Sequence, residues 1–135
     1  MTMYIGLAVV VLVCMIIGGL FVYKKRPRKL KHNYYRDQWT DLQKLCGDKA
    51  CWADAVTRAD ALLGKALKRR KYKGKSFGEK LVSAQRDLTD NDGVWYGHKL
   101  AKKIAEDPKT KLTKTDVQDA LFGIRQALKD LGALK

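Results

Sequence analysis

The sequence predicts an all-α protein: one N-terminal transmembrane helix followed by a basic antiparallel bundle of about five helices. Three observations predict it. From Tyr4 to Tyr23 the chain reads YIGLAVVVLVCMIIGGLFVY, with no charged residue. The run KKRPRKLK follows at once. Beyond that run, apolar residues recur at intervals of three and four, and no stretch alternates with period two.

A helix rises about 1.5 Å per residue, so the apolar segment matches a hydrocarbon core of about 30 Å. The leader MTM carries no charged side chain, and cations stand where a cleavage site of the A-x-A type would be, so the segment reads as a retained anchor and not a signal peptide. Tyr4 and Tyr23 sit where interfacial aromatics are favoured, and the basic flank is held on the cytoplasmic side. The expected organisation is an extracytoplasmic 1–3, a membrane helix 4–23, a basic juxtamembrane linker 24–33 broken by Pro27, and a cytoplasmic helical domain 34–135. The location that follows is a membrane crossed once, with the N-terminus outside and the domain on its cytoplasmic face. Gly18 and Gly19 lack the G-x-x-x-G spacing of a pairing helix.

In the domain, Tyr35, Trp39, Leu42 and Cys46 share one face of a first helix near 34–45, which Gly47 ends. Asp48 caps a second helix running to about Arg70, the longest of the domain, with a stripe from Cys51, Trp52, Ala55 and Val56 through Ala59, Leu62, Leu63, Ala66 and Leu67. Ser76 and Glu79 have capping-box spacing for a third helix carrying Phe77, Leu81, Ala84 and Leu88. TDNDG, residues 89–93, is turn chemistry. A fourth helix with Val94, Trp95, His98, Ala101, Ile104 and Ala105 runs to Asp107 and Pro108. Thr113 and Asp116 open the last, with Val117, Ala120, Leu121, Ile124, Leu128 and Leu131 on its stripe. Short joins make neighbouring helices antiparallel.

The formal charge of +14, from 28 Lys and Arg against 14 Asp and Glu, points to anionic partners. Lys24, Lys25, Arg26, Arg28, Lys29 and Lys31 all precede the first acid, Asp37. This flank suits anionic lipid headgroups, each cation contributing about 1 kcal/mol near the surface. The second dense run is KALKRRKYKGK at 65–75, where Lys65, Lys68, Arg69, Arg70, Lys71 and Lys73 surround Tyr72. Three readings fit it: a solvated helix end whose cations complement the dipole, a lipid contact, or a single-stranded nucleic-acid surface with an interleaved aromatic.

Catalytic signals are weak. Cys14, Cys46 and Cys51 form an odd set without a C-x-x-C motif, which reads as buried free thiols in a reducing compartment; two cysteines with His98 at unrelated spacing make a poor metal site. His98 and Glu106 share a helix face but stand about 12 Å apart along the axis, too far to act on one proton. His98 beside Trp95 reads as a packing histidine, and Trp39, Trp52, Trp95 and His98 are the structural candidates. No P-loop, dinucleotide, zincin or nucleophile-elbow motif is present, so no cofactor, metal or catalytic residue is assigned.

The string from Trp95 to Ala105 and the closing FGIRQALKDLGAL, with Trp52 and the following residues through AVTRADALL, KGKSFGEKLVSAQ and NDGVW, resemble small membrane-anchored proteins of Saccharibacteria-type candidate-phyla bacteria over most of the chain. WYGHKLAKKIAED more distantly resembles HEPN-type helical bundles, some of which are metal-independent ribonucleases using an Arg and a His on one helix. His98, Leu100, Ile104 and Ala105 match that pattern, whereas Ala101 stands for the Arg, Lys102 for an Asn and Glu106 for the final His. The likeness implies a helical bundle without the nuclease pair. The first functional expectation is therefore a membrane-tethered, non-enzymatic interaction module with a protein partner or a second copy of itself. The alternatives are a membrane-localised nucleic-acid binder using 65–75, and a degenerate HEPN-like domain with residual activity.

Overall fold

The computed structural model describes residues 2–25 and 29–135, with side chains for 2–20 and 29–135. Arg26 and Arg28 lie outside the described residues, as do the side chains of Lys24 and Lys25. The chain is all helical. Helix α1, Thr2–Lys25, is followed by α2 (His32–Leu45), a 3-10 turn (Lys49–Cys51), α3 (Trp52–Arg69), α4 (Phe77–Ala84), α5 (Asn91–Glu106) and α6 (Lys114–Asp130). From Thr2 to Leu20 no side chain of α1 is buried, and this helix is long and apolar enough to cross a membrane.

The other five helices form the bundle around two neighbouring cores. The larger joins α2, α3, α4 and α6 through side chains that include Tyr35, Leu42, Leu63, Leu67, Leu81, Ile124 and Leu128. The smaller joins α3, α5 and α6 through Val56, Ala101, Ile104, Val117 and Ala120. Helices α5 and α6 run antiparallel at close range because both are notched by glycine: a Cβ at Gly97 would stand 2.8 Å from the Ala120 carbonyl oxygen, and one at Gly123 would overlap the backbone of Gly93.

The helix starts follow their caps. Asp48 accepts from the Ala50 amide, Asp90 from that of Gly93, and complete capping boxes close on Ser76 with Glu79 and on Thr113 with Asp116. Several expectations need correction. The linker expected to reach residue 33 is shorter, since α1 continues to Lys25 and α2 begins at His32; Leu30 within it is an apolar side chain docked on the larger core. The second helix starts as a 3-10 turn, because Asp48 bonds to the amide two residues on. TDNDG is only partly a turn, with Asp90 capping and Asn91 already helical. Leu88 and Leu131 are buried just beyond their helices, and Ala105 is exposed. The thiols are not buried as expected: Cys46 and Cys51 are half-exposed and Cys14 lies exposed on α1.

Candidate anion-binding site

The end of α3 concentrates the charge of the bundle. Lys65, Lys68 and Arg69 stand at i, i+3 and i+4, hence on one helical face. Their helix is anchored beneath them by Ala66 and Leu67, both fully buried. Helix α2 packs antiparallel to α3 and brings Tyr34 and Tyr35 alongside. The Lys65 amine donates to the Tyr34 hydroxyl at 2.7 Å and lies 5.0 Å from that ring's centre. That hydrogen bond raises the Lys65 pKa above its ordinary value. Tyr35 meets Tyr34 edge-on, ring centres 5.2 Å apart, and burial raises its pKa.

The result is a concavity of about 440 Å³ whose cations are Lys31, Lys65, Lys68, Arg69 and Lys71, with Tyr34 and Tyr35 as its aromatic walls. Among the described residues no acid lines it. Lys31 is the cap residue of α2, so the last cation of the juxtamembrane run and the basic run at 65–75 meet in one place. Lys31 and Tyr34 also border a larger concavity of about 790 Å³ lined by Arg36, Arg125 and Trp39, among others.

The 65–75 run is divided by the structure. Lys65, Lys68, Arg69 and Lys71 reach the concavity, while Arg70 and Lys73 do not. Arg70 is half-buried with its Nε unpaired, and the Lys73 carbonyl accepts from Ser83. Tyr72 packs against the larger core and donates to Asp87 at 2.6 Å; burial first, then that bond, pushes its pKa up to about 12. Lys29 is exposed ahead of the buried Leu30. Sequence reasoning placed Lys31 in the juxtamembrane flank without joining it to 65–75, and it missed Tyr34 and Tyr35 as site residues, although the i, i+3, i+4 spacing of Lys65, Lys68 and Arg69 marks a common face.

The chain ends α3 in an unusual way. The Tyr72 amide donates to the Leu67 carbonyl and the Lys71 amide to that of Lys68, the paired bonds of a Schellman motif. This motif needs a left-handed residue, and Lys71 supplies it at φ 59°. It is the one non-glycine residue with positive φ among those described.

His98 occupies a different part of the bundle. Its Nδ1 lies 3.0 Å from Asp60 Oδ1, its ring stacks on Phe77 with centres 4.0 Å apart, and Trp95 meets it edge-on at 6.1 Å. Asp60, half-buried among the apolar positions of α3, is the partner that sequence reasoning missed; a carboxylate bordering that stripe is the available signal. Glu106 is exposed at the end of α5, about two turns along the helix from His98. Trp39 is buried with its indole N–H unpaired, whereas the Trp52 indole donates to the Cys46 carbonyl at 2.9 Å. Of the positions matched to the HEPN-type pattern, Ile104 is buried, His98 and Leu100 are half-buried, and Ala105 is exposed. Among the described residues no group of three or more His, Cys, Asp or Glu side chains could hold a metal. No protein family, curated protein or solved structure matches the chain.

Proposed function

We propose that the chain is a membrane-tethered, non-enzymatic helical module whose bundle rests its basic concavity on the anionic cytoplasmic surface of a bacterial inner membrane and leaves its remaining faces to a protein partner. The observation that carries this reading is the double position of Lys31. It lines the concavity, and it lies six residues beyond Lys25, the end of the apolar helix. Six residues of fully extended chain span at most about 22 Å, so α1, once in a bilayer, keeps the concavity near the headgroups. The basic flank orients that helix with the bundle inside. Each cation near an anionic surface contributes about 1 kcal/mol, and the concavity brings five together. Base stacking is poorly served here, because Tyr72, the aromatic of the 65–75 run, is packed on the core and tied to Asp87, and the exposed Tyr34 ring carries the Lys65 amine over it.

Amide hydrogen exchange on the full chain in lipid nanodiscs tests it. Residues 65–72 and the start of α2 are expected to exchange more slowly in discs containing anionic lipid than in neutral discs, with α5 and α6 unchanged. Equal exchange in the two would contradict it.

A further inference from the structure

The concavity is more than a place where positive charge is dense. Resting on the reading above, we propose that it is a discrete site for the phosphate group of an anionic lipid headgroup, and that Lys71 is held in a left-handed conformation to complete it.

Two observations carry this beyond diffuse attraction. First, the cations converge although like charges repel, and one of them is fixed in place: Lys65 is held by the Tyr34 hydroxyl. A group of N–H donors without an acid among them has the chemistry of a phosphate receptor, since phosphate offers several charged acceptor oxygens to several donors at once. Second, α6 ends in the same motif as α3. Its Ala133 amide donates to the Leu128 carbonyl and its Gly132 amide to that of Lys129. There the left-handed residue is Gly132, at φ 84°, which adopts that conformation without strain. In α3 the equivalent residue is Lys71, whose Cβ is crowded in this conformation. Strain of this kind persists where the surroundings over-determine it, and residues that carry it cluster at functional positions. One feature that separates the two ends is the basic concavity, which Lys71 lines and Gly132 does not.

The test uses the full chain in phosphatidylcholine nanodiscs, with or without phosphatidic acid, and reads the acetylation rate of every lysine by mass spectrometry. Phosphatidic acid is expected to slow Lys31, Lys65, Lys68 and Lys71 about fivefold or more, the factor that about 1 kcal/mol per contact implies. Lys73 and Lys75, in the same basic run but outside the concavity, should change less than twofold. Lys71→Gly, and Lys71→Asn as a second uncharged residue tolerant of this conformation, should each raise the phosphatidic acid content needed for half-protection of Lys65 about fivefold.

If Lys73 and Lys75 are protected as strongly as Lys65 and Lys68, the discrete site is wrong while the anionic-surface reading stands. If phosphatidic acid protects no lysine, both fail. Unchanged half-protection in both Lys71 variants would remove Lys71 from the site. Glycerol 3-phosphate added to neutral discs at the same phosphate concentration is expected to give no protection; equal protection would make the ligand a soluble phosphate. Stronger protection by a single-stranded oligonucleotide than by phosphatidic acid would overturn the lipid assignment.

Discussion

Helices α3 and α6 end on the same pair of backbone hydrogen bonds, with the same register of leucine, cap and reversed residue, but they use those ends differently. At α6 the reversed residue is Gly132, and the following Ala133 is fully buried with Leu128 beneath it. Nothing in that arrangement requires a side chain at 132. At α3 the reversed residue is Lys71, and the next, Tyr72, is half-buried while its hydroxyl reaches Asp87. A left-handed non-glycine residue costs about 1–2 kcal/mol, so the two ends carry different strain in one fold. The comparison separates what the motif needs, which glycine supplies, from what the site needs, which is a cation.

The largest effect comes from removing the apolar support that the two ends share. Leu67→Ala and Leu128→Ala each delete a side chain that is fully buried at the third position from the helix end. Each should destabilise the bundle by about 2–5 kcal/mol, measured by thermal unfolding in detergent. Equal losses would show that both ends rest on the core in the same way. A much smaller loss at Leu67 would break the comparison.

Exchanging the reversed residues comes next. Gly132→Lys places in α6 the strain that α3 carries and should cost about 1 kcal/mol. Lys71→Gly relieves it and should stabilise by about 0.5–1 kcal/mol, the freedom gained by the unfolded chain offsetting part of the relief. If Lys71→Gly instead destabilises in neutral surroundings, the lysine makes contacts worth more than its strain.

The smallest effect is on pH dependence, and it should appear at one end only. The folded-state pKa of Tyr72 is raised from 10.0 to about 12, by burial and then by the Asp87 hydrogen bond. A raised pKa means stabilisation that is complete below pH 10 and is lost as pH rises through about 12. Tyr72→Phe should therefore flatten the fall in melting temperature over that window. Ala133, the equivalent residue of α6, has nothing to titrate.

Much of this fold is legible in the chain because helices announce themselves through periodicity and caps. Asp48, Ser76 with Glu79, and Thr113 with Asp116 stand where side-chain oxygens cap the helices, and the apolar stripes of α3 and α6 fill the cores. The site is legible only in part. That 65–75 is basic is plain, but Lys31 and Tyr34 reach it from about thirty residues away, through packing that no local pattern encodes. The reversal at Lys71 is hidden for a different reason. Helix ends are read from glycine, and Gly74 lies three residues too late, so a lysine in that conformation leaves no signal. The pairing of Asp60 with His98 is long-range in the same way. Leu30 was hidden by its neighbours, a single apolar residue inside a run of cations.

A Lys71 that trades stability for an anion held at the membrane surface shows itself in thermal unfolding of the full chain in nanodiscs. Wild type and Lys71→Gly are melted in neutral discs and again with phosphatidic acid. The variant is expected to melt about 4 °C higher than wild type in neutral discs, the shift for somewhat under 1 kcal/mol in a domain of this size. Anionic lipid should raise the variant's melting temperature by less than it raises that of wild type. A variant that melts lower in neutral discs, or that gains as much from anionic lipid as wild type does, would contradict it.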